Sequence, residues 1–340
     1  MEQGLVSIII PTFNRAHVIY ETLNSIISQS YTNWECIVVD DGSLDGTVSL
    51  LSDFIAKDSR IQFYKRPADL PKGANTCRNY GYKIAKGEFV NWFDSDDVMC
   101  PNFLEQHVTQ LNEDSTLDFS SCLYFQFTDE TPSMDSNYKP VKPLIFQSKN
   151  YIEDYILHGL YFITNSILWR KNFLDNKDLF DAQMHRAQEW DFHLRMLCYN
   201  PQYKYIKTGL FYRRKDGSSI TNNYKASLKA NHSIFRFFDK AYYIIQQNQP
   251  PNTPKLMQYI LYRQAVNYYN LSTLVKGFSG RLIIMRQYAD QLLGYATNSK
   301  VGLKTTLKLC LGVIGLLFFN KGYKLFYYPQ YDHRSYTKPV

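Results

Sequence analysis

Along the first two hundred residues the apolar positions alternate between runs with strand spacing and runs with helical spacing. Val6 to Ile10 is an uninterrupted apolar run that predicts a buried strand. Asn14 follows as a candidate cap for a helix whose apolar face is Val18, Ile19, Leu23, Ile26 and Ile27. The pattern repeats. Glu35 to Val39 predicts a second strand, and Val48, Leu51, Phe54 and Ile55 mark a second helix after the Ser43 to Gly46 turn. Ile61 to Tyr64 predicts a third strand, a helix runs from about Ala74 to Lys86, and Phe89 to Phe93 predicts a fourth strand before Pro101 opens another helix. Strands and helices in alternation predict a doubly wound α/β fold with a mainly parallel sheet flanked by helices.

Beyond Phe127 a polar stretch, Thr128 to Pro143, reads as a loop. Phe162 to Trp169 is then expected as a strand, Gln188 to Tyr199 as a helix and Tyr205 to Arg213 as a strand. From Asn223 the reading is helical, with helices expected to Gln247, over Leu256 to Val275, Arg281 to Tyr295 and Lys300 to Asn320. Two domains follow from this: 1–222 as the α/β domain, and 223–340 as a basic, aromatic-rich α-helical region.

Charge sharpens that division. Residues 223–340 hold 16 lysines and arginines against three aspartates, a net +13, whereas the 222 residues before them sum to −6. An acidic front with a basic rear suits a part that uses a cation joined to a part that meets an anionic surface. The chain start has no basic segment followed by a long apolar one, so a cytoplasmic location is expected. Six cysteines without a Cys-x-x-Cys pair argue against a zinc site and a disulfide framework.

Candidate chemistry gathers where the strands end. Pro11, Asp40–Asp41 and Asp94–Asp97 all fall at carboxyl ends of predicted parallel strands, the edge where such sheets bind ligands. Asp94, Asp96 and Asp97 are hard oxygen donors that repel one another unless a cation lies between them, which selects Mg²⁺ or Mn²⁺. An Asp/Ser cap for the helix at Pro101 is the structural alternative. Asp41 can accept hydrogen bonds from a base or ribose, and Arg78 can reach a phosphate. No glycine-rich dinucleotide or P-loop pattern follows the first strand.

Taken in order, Ser7 to Arg15, Val39-Asp40-Asp41-Gly42-Ser43, Ala74 to Asn79 with Gly81, and Phe93-Asp94-Ser95-Asp96-Asp97 resemble the successive signatures of family 2 glycosyltransferases of GT-A fold, over roughly residues 5–222. The resemblance implies a Rossmann-like, nucleotide-sugar-binding enzyme that transfers with inversion and depends on Mn²⁺ or Mg²⁺. It puts Pro11, Thr12, Phe13, Arg15, Asp41, Arg78, Asp94 and Ser95 at the donor, with Asp41 at the base, commonly uracil, and Asp96 and Asp97 at the metal. Gln188 to Arg195 is similar to the segment that carries the general base; Glu189 occupies that position, with Asp191 left open as the alternative. Lys215 stands where some relatives place a metal-binding histidine.

Lys300, Lys304 and Lys308 recur every four residues beside an apolar run from Leu309 to Phe319 that is too short to span a bilayer. With Lys321, Lys324 and Tyr323 to Tyr328 beyond it, the segment is expected to lie in the plane of an anionic leaflet, peripheral on the inner face of the cell membrane. A buried helix packed on the catalytic domain or in a homo-oligomer is the alternative. The expected partners are a nucleotide-sugar donor, a UDP-sugar above others, and a lipid-linked or saccharide acceptor for cell-envelope polysaccharide or glycolipid synthesis. Transfer to a lipid phosphate is kept open within the enzyme class. A non-catalytic binder of nucleic acid or sugar nucleotide is the rival from another class, and it leaves the carboxylates and Glu189 unexplained.

Overall fold

The computed structural model describes residues 1–128, 139–141, 150–157, 160, 162–215, 228–298, 303–319 and 325. The chain divides into two compact units. The first comprises Met1–Pro143, Phe162–Ala182 and Tyr199–Gly217; the second comprises Leu144–Tyr161, Gln183–Cys198 and Ser218–Val340. The division differs from a single cut at 222, because the 183–198 segment with Glu189 belongs to the helical unit rather than to the sheet unit.

The first unit is built on one sheet. Its strands among the described residues are β1 (Glu2–Thr12), β2 (Trp34–Asp40), β3 (Ile61–Lys65), β4 (Gly87–Trp92), β5 (Val98–Met99), β6 (Phe119–Phe127), β7 (Ile167–Arg170) and β8 (Tyr203–Arg214), in the order β3-β2-β1-β4-β7-β6-β8-β5. Six run in one direction, while β5 and β7 run against them. The sheet is therefore mixed, with parallel pairing over β3-β2-β1-β4, where the alternating pattern of the sequence is clearest, and again between β6 and β8. Ile8, Ile9 and Ile10 of β1 and Cys36 to Val39 of β2 are fully buried, as parallel strands covered on both faces require. Each such aliphatic side chain contributes about 1.5–3 kcal/mol by leaving water.

Helices α1 (Ile19–Ile27), α2 (Thr47–Lys57), α3 (Ala74–Ile84) and α4 (Phe103–Glu113) cover the sheet. Helix α1 starts later than the Asn14 cap predicts, since Asn14 is left-handed at φ 51° and its side chain serves a neighbouring loop. The expected strand over 162–169 is shorter: Thr164–Ser166 forms a 3₁₀ turn, and only Ile167–Arg170 pairs, antiparallel to β4 and β6. Gly81 is required by close packing, because a Cβ there would lie 2.4 Å from Ile9 Cγ2. Helix α3 can thus settle directly on β1, which seats Arg78 near the strand ends. A short helix α5 (Tyr151–Ile156) belongs to the second unit and α6 (Lys171–Leu174) to the first.

The second unit also holds α7 (Gln188–Leu197), α8 (Leu228–Asn248), α9 (Thr253–Leu274), α10 (Gly277–Asn298) and α11 (Leu303–Phe319). Its core is aromatic, with Phe235 against Tyr288 and Tyr242 against Tyr295, both at centroid separations of 4.0 Å. Helix α11 carries two apolar faces. Leu309, Val313, Leu316 and Leu317 are buried, whereas Leu303, Leu307, Leu311, Ile314 and Phe318 form a second stripe that is 48–76% exposed. At 100° per residue that stripe spans about 80° of the helix, and the exposed Lys304 and Lys308 border it. Lys300, Lys321, Lys324 and Tyr323 lie outside the described residues, as do most of 128–143 and the aromatic group at 326–328. No helix among the described residues is long and apolar enough to cross a membrane.

Candidate functional site

The loops that leave β1 and β2 are tied to one another. The Asn14 amide donates to Ser43 Oγ at 2.8 Å, the Leu44 amide to Asn14 Oδ1 at 2.8 Å and the Arg15 amide to Thr47 Oγ1 at 2.9 Å. Asp40 closes the second loop on itself by accepting from the Gly42 and Ser43 amides at 3.0 and 2.9 Å. Asp40 is therefore the turn-maker. Its neighbour Asp41 is also buried, and its carboxylate accepts from Arg66 Nε at 2.6 Å. Arg66, which lies outside every sequence motif, presets the orientation of the residue expected at the base. Phe13 stands at the rim of the first loop under Lys72, whose ammonium lies 4.1 Å from the ring centroid.

Helix α3 brings a cation into the same region. Arg78 is buried, and its Nη2 donates to Asp94 Oδ1 at 2.9 Å while Nη1 donates to Asn75 Oδ1 at 3.2 Å. Its guanidinium also sits 5.3 Å over the Phe180 ring. The 180–181 backbone is bound to α3 by Asn75 Nδ2 to the Asp181 carbonyl at 2.8 Å and by two bonds between Asn79 and Phe180 at 2.7 and 3.1 Å. Phe180 is thereby held as a floor for the arginine.

The strand β4 stops at Trp92, so Asp94 to Asp97 form a turn rather than an extended pair of projections. The turn still brings one oxygen from each of Asp94, Asp96 and Asp97 within 4.8 Å of the others. Asp94 and Asp96 are partly exposed; Ser95 and Asp97 are buried. Asp97 is anchored on both oxygens, by Asn165 Nδ2 at 2.5 Å and by the Arg214 amide at 2.9 Å. Arg214 also reaches the Asp96 carbonyl from Nε at 3.1 Å and pairs with Glu21. Asn165 is placed in turn by Asn91 inside β4, whose Nδ2 donates to the Asn165 and Ile167 carbonyls at 3.2 and 2.9 Å. A polar residue within the run Phe89-Val90-Asn91-Trp92-Phe93 was the one sequence signal of this arrangement.

Electrostatically the turn is a sink for positive charge. Burial, with Asp96 and Asp94 close by, pushes the Asp97 carboxyl well above the usual carboxylate range. Arg78 and Arg15, the latter with Nη2 3.7 Å from Asp96, supply part of the compensation. Three hard oxygen donors, one of them buried and destabilised as an anion by its neighbours, fit a divalent cation of the Mg²⁺ or Mn²⁺ type. Asp94, Asp96 and Asp97 are the residues able to hold it.

The two base candidates lie on α7 in the helical unit and differ sharply in surroundings. Asp191 is 2% exposed and clamped between Arg195 Nη2 at 2.8 Å and Lys240 Nζ at 2.9 Å. Glu189, in the first turn of the same helix, is half-buried. Ala187, just before α7, is left-handed at φ 58°, a conformation that costs a residue with a Cβ about 1 kcal/mol. Lys215 ends the described part of its segment, and its amide donates to the Phe127 carbonyl at 2.8 Å.

Residues 7–175 match the Glycosyl transferase family 2 model. An uncharacterised glycosyltransferase of Rickettsia typhi is 31% identical over 205 residues, 57% of this chain and 58% of that protein. UDP-Glc:alpha-D-GlcNAc-diphosphoundecaprenol beta-1,3-glucosyltransferase WfgD of Escherichia coli is 39% identical over 111 residues, 33% of this chain and 42% of its own. The matches thus span less than two thirds of either relative. Among solved structures, S. aureus TarS 1-349 in complex with UDP-GlcNAc superposes with a TM-score of 0.64 at 17% identity, covering 92% of this chain and 89% of that one. Mannosyltransferase PcManGT from Pyrobaculum calidifontis, in complex with GDP-Man and Mn²⁺, gives 0.52 at 17% identity, covering 98% and 82%. The shared architecture is the GT-A fold, and the segment that carries the acidic turn, residues 7–175, belongs to glycosyl transferase family 2.

Proposed function

We propose that the chain transfers a sugar, with inversion, from a nucleotide-activated donor to a lipid-linked or saccharide acceptor in cell-surface polysaccharide or glycolipid assembly. The observation that carries this reading is the acidic turn itself: three carboxylates within 4.8 Å of one another, next to Arg78 and Arg15. A UDP-sugar is the preferred donor, since the solved relative TarS holds UDP-GlcNAc and the E. coli relative is named for UDP-Glc.

In this reading Asp41, steadied by Arg66, accepts from the base, and Pro11, Thr12 and Phe13 line the nucleotide pocket with Arg15 and Ser95 beside them. Asp94 binds the ribose. Arg78 leaves Asp94 for the donor diphosphate, a charge-assisted contact for which its planar fork is suited. Asp96 and Asp97, with Asp94, would hold Mn²⁺ or Mg²⁺, which when bound neutralises charge on the leaving diphosphate. The Glu189 carboxylate takes the proton of the acceptor hydroxyl as that oxygen bonds to the anomeric carbon and the bond from that carbon to the diphosphate breaks. Asp191, enclosed by two cations, keeps α7 in place and leaves the proton transfer to Glu189.

The exposed stripe of α11 and its lysines support a peripheral site of action on the inner face of the membrane. The acceptor named for the E. coli relative, a diphosphoundecaprenol, is lipid-linked and agrees with that placement.

Thermal unfolding with UDP, GDP, dTDP and CDP, each with and without Mn²⁺, tests the donor half. Ligand at a hundred times its Kd stabilises the folded state by about 2.7 kcal/mol. Stabilisation by one nucleotide that needs Mn²⁺ and disappears in Asp96→Asn is expected. No response to any nucleotide, together with no release of sugar from any nucleotide-sugar, would overturn the reading.

A further inference from the structure

The helical unit contains an open cleft of about 420 Å³ that the glycosyl-transfer machinery described above does not use. Arg186, from the loop before α7, and Arg263, from α9, both line it, together with the buried Asn231 and Asn267 on a polar side and Phe238 and Ile234 on an apolar one. The loop that presents Arg186 is pinned on both flanks: the His185 amide donates to Ser233 Oγ at 2.9 Å, and Gln183 Oε1 accepts from Arg236 Nη1 at 2.7 Å. Arg263 is equally constrained, its guanidinium 4.9 Å over the Phe238 ring and its Nη1 donating to the Tyr259 hydroxyl at 2.9 Å. Neither arginine forms an ion pair with a carboxylate among the described residues, and residues 223–340, which supply the rest of the lining, hold 16 basic residues against three aspartates.

Two preorganised guanidinium groups without carboxylates, facing one cleft of ligand size, make an anion site. The planar fork of arginine matches phosphate oxygens two at a time, and the amide side chains can take the remaining oxygens. The apolar wall fits the first carbons of an alkyl ester.

We propose that this cleft binds a phosphate ester and, in the transfer reaction, holds the phosphate of the acceptor; the second part rests on the glycosyl-transfer reading, the first does not. Arg186 is joined to α7 through the left-handed Ala187, so an occupant of the cleft fixes the chain three residues before Glu189. Phosphate-bearing acceptors are thereby distinguished from plain saccharides.

Calorimetric titration of the full chain in EDTA tests this, with inorganic phosphate, pyrophosphate and n-octyl phosphate as probes. Wild type and Arg286→Gln, an exposed position on α10, are expected to bind alike, and Arg186→Gln and Arg263→Gln to bind at least tenfold more weakly. Since Arg263 packs on Phe238, its variant is read only with an unchanged circular dichroism spectrum, and Arg186→Gln carries the test by itself if that spectrum changes. Tighter binding of octyl phosphate than of the inorganic anions assigns the cleft to a lipid phosphate; equal binding assigns it to the phosphate group alone. No binding by wild type at millimolar concentrations, or equal binding by the Arg186 variant, would overturn the proposal. The UDP and Mn²⁺ stabilisation is measured on the same proteins: if it persists while cleft binding is absent, only the cleft proposal fails, and if it is missing while cleft binding is present, only the transferase reading fails.

Discussion

Arg78 and Asp94 meet at 2.9 Å although one lies on α3 and the other beyond the end of β4. The arginine is buried beneath the pair and the aspartate is its exposed end. In the proposed reading an incoming diphosphate replaces that carboxylate. Arg78→Ala is expected to weaken UDP binding about ten- to a hundredfold, the range for one charge-assisted contact. Arg78→Lys recovers part of the charge without the fork. Binding of Mn²⁺ alone should not weaken in either variant, because Asp94, Asp96 and Asp97 lose a competing cation in Arg78→Ala and meet no stronger one in Arg78→Lys. Calorimetry with each ligand separately checks this; an equal loss for metal and nucleotide would reassign Arg78 to holding the turn together.

Glu189 and Asp191 should separate in stability as well as in activity. Asp191→Asn removes the charge that Arg195 and Lys240 share; both are partly hydrated, so the cost falls at the low end for broken buried pairs, about 3 kcal/mol. Glu189→Gln is expected to cost less stability than Asp191→Asn, to leave nucleotide binding unchanged and to abolish transfer. A Glu189→Gln enzyme with full turnover would move the proton acceptor elsewhere.

How much of this was readable in advance follows the range of the interactions. β1, β2 and β4 were legible because their burial is continuous and local, and since the three run parallel the motifs that follow them fall on one sheet edge as the pattern implies. The start of α1 was not, because Asn14 is drawn into a bond with Leu44, thirty residues away. The partners of Asp97 were equally hidden: Asn165 and Arg214 lie 68 and 117 residues along the chain, beyond the reach of any spacing rule. Thr164-Asn165-Ser166 interrupts what reads as a strand because its backbone serves Asn91 rather than a ladder. The ion pair between Asp191 and Lys240, which comes from another helix, was hidden in the same way.

Acid should destabilise the protein well before its carboxylates titrate. His107 and His193 are both buried, and burial lowers each to about 3 from an ordinary value of 6.5. The unfolded chain therefore binds more protons between those values, and stability present above pH 6.5 is lost as pH falls toward 3, at about 1.4 kcal/mol per pH unit for each histidine. His107 Nδ1 lies 2.7 Å from Ser120 Oγ, so His107→Gln keeps a polar partner while removing one titration. Urea unfolding at pH 7 and pH 5 should show a smaller pH difference in the variant; an identical difference would mean that His107 is protonated in the folded state.

The two apolar faces of α11 call for opposite responses to the same substitution. Leu309 is buried, so Leu309→Glu is expected to lower the melting temperature. Leu307 and Leu311 belong to the exposed stripe, where glutamate costs the fold little but removes apolar surface and adds charge of the wrong sign for an anionic leaflet. Wild type should sediment with phosphatidylglycerol vesicles and release as salt rises, since Lys304 and Lys308 each contribute about 1 kcal/mol near such a surface. Leu307→Glu with Leu311→Glu should stay in the supernatant with an unchanged melting temperature. If that double variant still sediments but loses a dimer seen by analytical ultracentrifugation in the wild type, the stripe is covered by a second copy of the chain and not by lipid.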